Sequence, residues 1–155
     1  MVFGSGPSIF DAVVQFFKED DWKFQQLEGK TILRMGFSGK NGTWLSYAQA
    51  QNDKQRFMFY SIMETKVPPE KRQAVAEFLT RANYGLVIGN FEMDFSDGEV
   101  RYKTSVDVEG GQLTSTMIRT MVYTNVLMMD KYLPGIMKVV YAGASPADAV
   151  AEVEQ

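Results

Sequence analysis

Between residues 22 and 65 apolar and polar side chains alternate with a period of two, in four segments, 22–27, 31–38, 43–52 and 56–65, parted by Gly or polar clusters. That period belongs to strands, and connections this short join only antiparallel neighbours, so the stretch predicts an antiparallel meander. Asn41-Gly42 is a strong turn dipeptide and Asn52-Asp53-Lys54 a second turn. A turn at Asp53-Lys54 puts Ala50 opposite Phe57, Ala48 opposite Phe59, Ser46 opposite Ser61 and Trp44 opposite Met63. Small residues meet large ones, as close packing requires, and Leu33, Met35 and Phe37 share that parity, so this is the core face. The opposite face is apolar as well: Leu45 faces Ile62, Tyr47 faces Tyr60, and Met58 lies beside them. A sheet with helices on one side has a polar second face, so this one needs a cover. The expected cover is a second copy of the chain, in a homodimer; the chain's own helix and a client polypeptide are the alternatives.

The remaining elements follow from helical stripes and breakers. Ser8, with Asp11 three positions on, opens a helix over 8–19 with Ile9, Ala12 or Val13, Phe16 and Phe17 inward. Val67-Pro68-Pro69 stops the meander, and a second helix carries Val75, Phe78, Leu79 and Ala82 up to Gly85, which suits a left-handed cap. Segments 86–96 and 99–108 form a hairpin around a two-residue loop at Asp97-Gly98. In that register Asp94 faces Arg101, Glu92 faces Lys103 and Asn90 faces Ser105 on the solvated face. On the core face Phe95, Met93, Phe91, Gly89 and Val87 meet Val100, Tyr102, Thr104, Val106 and Val108. A long helix over 114–132 is expected to end before Pro134 and restart to about 141, and Ser145-Pro146 caps a last short helix. The order α-β-β-β-β-α-β-β-α(α) is that of an α+β domain, expected to span 1–155 undivided.

Several chemistries are closed to this chain. With no Cys and no His there is no thiol nucleophile, no Cys/His metal site, no Ser-His-Asp triad and no imidazole acid or base. Lys plus Arg at 16 against Asp plus Glu at 19, with a pI near 5.0, argues against a nucleic-acid binder. The start lacks a basic leader region, and no apolar stretch approaches a membrane span, so the chain is expected to begin at a mature N-terminus, to have no membrane partner and to be cytoplasmic. The carboxylates Glu92, Asp94, Asp97 and Glu99 sit in a turn too tight for a calcium loop, and no Gly-rich loop precedes a helix with a phosphate-binding fingerprint. No catalytic, cofactor-binding or metal-ligating residue is therefore assigned, and no cofactor is expected. Ten methionines stand in the chain, and in the long helix Met117, Met121 and Met128 suit the core stripe while Met129 falls off it and suits contact with a partner.

Residues 78–141 carry a resemblance. A helix ends in Asn83-Tyr84-Gly85, a strand follows with Gly89, Phe91, Glu92 and Asp94, then Asp97-Gly98-Glu99-Val100-Arg101, and a long helix reaches Tyr132 and Pro134. This pattern resembles the YbjN-like proteins. The resemblance implies a type III secretion chaperone-like fold, helices against an antiparallel sheet, whose members are often acidic homodimers that bind extended segments of other proteins. It implies no catalytic residue. The function expected is a non-enzymatic protein-binding module, a homodimeric adaptor, chaperone-like or regulatory protein, meeting its partner through Leu45, Tyr47, Met58, Tyr60, Ile62 and Met129. The alternative is a small-molecule sensor or enzyme with a pocket built on Tyr47, Tyr60, Arg34 and Gln49.

Overall fold

The computed structural model describes residues 7–155, so the reading of the chain's start as a mature N-terminus falls on 1–6, outside the described residues. Ser8 opens α1 (Ile9–Glu19) as expected, its hydroxyl accepting the Asp11 N–H at 3.1 Å. The first expected strand shrinks to β1 (Gln25–Gln26). Trp22 is tied to α1 instead: its backbone N–H donates to Phe17 and its indole N–H to Asp20, whose carboxylate also accepts the Tyr123 hydroxyl at 2.5 Å. The rest of the meander is β2 (Ile32–Ser38), β3 (Thr43–Gln51) and β4 (Arg56–Ile62), and the β3–β4 register is the expected one, with Ala48 opposite Phe59 and Tyr47 opposite Tyr60. After a 3-10 turn at Pro69–Lys71 comes α2 (Arg72–Asn83), with Gly85 at φ +100° just past its end.

The second hairpin, β5 (Asn90–Met93) and β6 (Val100–Asp107), is paired two residues away from the expected register: Glu92 faces Arg101, Phe91 faces Tyr102 and Asn90 faces Lys103. The loop is wider because Asp94 organises it. The Asp94 carboxylate accepts both the N–H and the hydroxyl of Ser96, and its carbonyl accepts the Gly98 N–H at 2.7 Å. A slip of two residues preserves parity, so core and solvated faces stay as expected while every partner changes. Val87 and Phe95, expected on the core face, lie before and after the strand and are 94 % and 54 % exposed. The six strands form one sheet in the order β1-β2-β3-β4-β6-β5. Its β5 edge is closed by Asn83, whose carboxamide accepts the Phe91 N–H at 2.7 Å and donates to the Phe91 carbonyl at 3.1 Å.

Pro134 does not interrupt α3, which runs unbroken through Ser115–Tyr141. Proline denies a hydrogen bond to the carbonyl four residues back, and here the side-chain amide of Asn41 donates to that Asp130 carbonyl at 3.0 Å. The Asp130 carboxylate meanwhile accepts the N–H groups of Lys40 and Asn41 at 3.0 and 2.7 Å, so the β2–β3 turn is latched to the helix where proline leaves a gap. α4 (Pro146–Val153) packs on α2 and α3.

The helices bury one face of the sheet. Val13 and Phe17 of α1, Phe78 of α2, and Val122, Val126 and Met129 of α3 share one core with Leu33, Ala48, Phe57, Phe59 and Tyr102. Each such large side chain contributes about 1.5–3 kcal/mol, well above the roughly 0.2–1 kcal/mol of an exposed cross-strand pair, so this face holds the layers together. The buried stripe of α3 is Ile118, Val122, Asn125, Met129, Tyr132 and Ile136, with Asn125 donating to the carbonyls of Phe59 and Tyr102. Met117, Met121 and Met128 pack at its margin. The chain is α+β, helices on an antiparallel sheet. No described helix is long and apolar enough to cross a membrane.

Candidate protein-binding surface

Registers on the four inner strands align side chains of the uncovered face into rows across the sheet. One row reads Gln25, Arg34, Tyr47, Tyr60, Lys103 and Asn90. The next, on one side, reads Gly36, Leu45, Ile62, Arg101 and Glu92; on the other side come Ile32, Gln49, Met58 and Ser105, and beyond them Gln51, Arg56 and Asp107. The alternation in β3 and β4 that buries Ala48 and Phe59 beneath the helices leaves these residues on the other side. Leu45 is 48 % exposed, Tyr47, Tyr60 and Ile62 are half-buried, and Met58 is nearly buried among its own-face neighbours, apart from the main core.

An apolar stripe two strands wide therefore runs along β3 and β4, framed by cations. On the β2 side stands Arg34, hydrogen-bonded to Gln25 at 2.7 Å. On the β6 side Arg101 lies over the Tyr60 ring at 4.5 Å, and Arg101 and Lys103 grip opposite oxygens of Glu92 at 2.8 and 2.9 Å. Burial works to raise the Glu92 carboxyl, but hydrogen bonds from Lys103 and Arg101 outweigh it and hold it below the ordinary glutamate value. At the far end Arg56 pairs with Asp107 at 3.0 Å, and the Glu109 N–H followed by Arg56 depresses that carboxyl. The strands thus bring four cations to this face, Arg34, Arg56, Arg101 and Lys103, with the carboxylates Glu92 and Asp107, and at the hairpin end Asp94 and Glu99 line the cleft beside Arg101.

Five of the six residues singled out from the sequence, Leu45, Tyr47, Met58, Tyr60 and Ile62, share this face. Met129 does not: it is fully buried under α3, and a side chain without surface has none to offer a partner. The expected stripe missed it because Asn125, polar but buried, sits on the true one. Arg34, Tyr47, Gln49 and Tyr60 do lie together, yet the larger clefts are elsewhere, an open one of about 700 Å³ between Asp20–Lys23 and Gly36–Ser38 and one of about 310 Å³ between the start of α1 and the Gly111–Leu113 loop. Arg101 and Lys103 entered the sequence reading only as register partners; their place beside Tyr60 follows from the β4–β6 pairing, which joins segments some forty residues apart. Among the described residues no group of three or more carboxylates is placed to hold a metal ion.

Solved structures share this architecture. YbjN from E. coli superposes with a TM-score of 0.59 at 12 % identity, covering 78 % of this chain and 85 % of its own. A chain of the HopA1–SchA chaperone–effector complex gives 0.51 at 12 %, covering 78 % and 91 %. The Yersinia pestis type III secretion chaperone SycH, solved with a fragment of YscM2, gives 0.51 at 9 %, covering 77 % and 94 %. At such identities the likeness is one of fold. No curated protein sequence matches the chain significantly. The model of the YbjN family, described as "Putative bacterial sensory transduction regulator", matches residues 10–137, most of the chain. From the helix that opens at Ser8 to the proline-bearing helix latched on Asn41, this chain belongs to the YbjN family.

Proposed function

We propose that this chain is a non-enzymatic protein-binding module, an adaptor, chaperone-like or regulatory protein that holds polypeptide against the open face of its sheet. The observation that carries the reading is the stripe of Leu45, Tyr47, Tyr60 and Ile62, which the chain's own helices leave uncovered. Soluble proteins seldom leave contiguous apolar surface of several hundred Å² without a partner. Two structural neighbours whose descriptions name a chaperone with an effector, or a chaperone with a bound fragment, support a polypeptide as occupant. The homodimer expected from the sequence is the same use of the face with a second copy as the polypeptide.

A photo-crosslinking amino acid at position 47, in the full chain expressed in its native host, tests the reading. Position 120, exposed on the helical side, serves as control. Abundant covalent adducts to polypeptide from position 47 and few from position 120 are expected. Equal yields from both positions would refute the face as a binding surface.

A further inference from the structure

We propose that the open face takes an acidic amphipathic helix of another protein, with apolar residues along one side and carboxylates along both margins, in preference to a second copy of this chain. The inference rests on the protein-binding reading above and deepens it. Three strand spacings separate Arg34 on β2 from Lys103 on β6, about 14 Å between columns at the usual spacing. A helix with its side chains is about 10–12 Å across, so one lying along β3 and β4 would cover Leu45, Tyr47, Tyr60 and Ile62 and bring its margins to both columns. A sheet with one face already under helices is completed by a helix on the other, which buries the apolar side of each.

Charge selects the occupant. Among the described residues Arg34 has only the neutral Gln25 as hydrogen-bonding partner, and Lys103 shares Glu92 with Arg101, so the row through Tyr47 and Tyr60 keeps positive charge unmatched at both margins, while Asp94 and Glu99 line the cleft beside Arg101 at the hairpin end. Carboxylates on a helix would meet both. A second copy would not: whichever way a two-fold axis lies in the interface, a cation column of one copy faces a cation column of the other. A single-stranded nucleic acid fits less well, because Leu45 and Ile62 offer no stacking plane and Arg101 already covers one side of the Tyr60 ring.

The probes are two labelled peptides of about fourteen residues, long enough at 1.5 Å per residue for the length of the stripe. Both carry Leu along one side; one has Glu on the margins and the other Lys. The full-length protein is expected to bind the Glu peptide at least tenfold more tightly, with affinity falling as salt rises and peptide helicity rising on binding. Arg34→Glu together with Lys103→Glu should abolish the preference, and Arg34→Glu alone, at an exposed position, should halve it or more if the pair fails to fold. Equal binding of the two peptides overturns the charge assignment and leaves the binding face standing. Binding of neither overturns the inference, and with it the proposed function if position 47 also yields no adducts. Tighter binding of a thymidine oligonucleotide or of anionic vesicles, or a dimer through this face that salt does not strengthen, likewise overturns it.

Discussion

Two glycines, Gly98 and Gly85, separate the cost of a backbone conformation from the cost of occupied space. Both lie at positive φ, +81° and +100°, where an L side chain is strained by about 1–2 kcal/mol. Around Gly85 a Cβ would meet nothing within 4 Å, so Gly85→Ala should cost that amount and no more. At Gly98 a Cβ would come to 2.1 Å from the Val67 carbonyl oxygen and 2.9 Å from its nitrogen. Those atoms cannot swing aside: the Val67 N–H donates to the Gly98 carbonyl at 2.9 Å, its carbonyl accepts from Arg72 at 3.0 Å, and its side chain is in the core. Relief would break that bridge and shift a buried residue, a further loss of about 2 kcal/mol or more. Urea titration of both variants should therefore show Gly98→Ala less stable by at least that difference. In thermal melts it corresponds to about 4–8 °C for a chain of this size. Equal losses would refute the steric account and leave backbone strain as the whole effect.

Asp130→Ala and Asn41→Ala should each cost about 1–2 kcal/mol, and their double-mutant cycle should show coupling above about 0.5 kcal/mol; strict additivity would dissolve the latch at Pro134. Because the Glu92 carboxyl is held below its ordinary value, its contribution is present above the unfolded pKa and is lost as pH falls through the lower folded one. Glu92→Gln should thus destabilise the protein at neutral pH and lose that penalty in acid, as chemical denaturation at pH 7 and pH 3 would show. Burial pushes the Tyr102 phenol up to about 12, so the stability it gives is complete below its ordinary value near 10 and fades as pH rises through the folded one. Tyr102→Phe should flatten that alkaline decline while costing about 1 kcal/mol at pH 7 for the hydrogen bond to Ile88.

Local signals carried most of the architecture. Ser8, Asn41-Gly42 and the small-against-large pairing of β3 with β4 act within a few residues or across one tight turn, and each reads correctly from the sequence. The errors have two sources. Asp94, inside the loop itself, bonds Ser96 and Gly98 and sets the second hairpin two residues from the register that Asp97-Gly98 suggests, a local choice that the turn dipeptide masked, while Asn41, over ninety residues away, lets α3 pass through Pro134. The candidate face was legible as an apolar set because the β3–β4 register is the one the turn at Asp53-Lys54 dictates. Its cationic frame was not, since the β4–β6 pairing that places Arg101 and Lys103 beside Tyr60 leaves no mark within either segment.

Asn83 has a consequence for how this molecule behaves in a crowd. An edge strand is a reactive end, and a sheet with two of them can add chains indefinitely, as a bifunctional monomer polymerises. By occupying both the amide and the carbonyl of Phe91, a single carboxamide acts as a chain terminator on the β5 side. Strand exchange between copies is then left with one edge, and a monofunctional unit stops at pairs; fibril growth through this sheet would first have to displace Asn83.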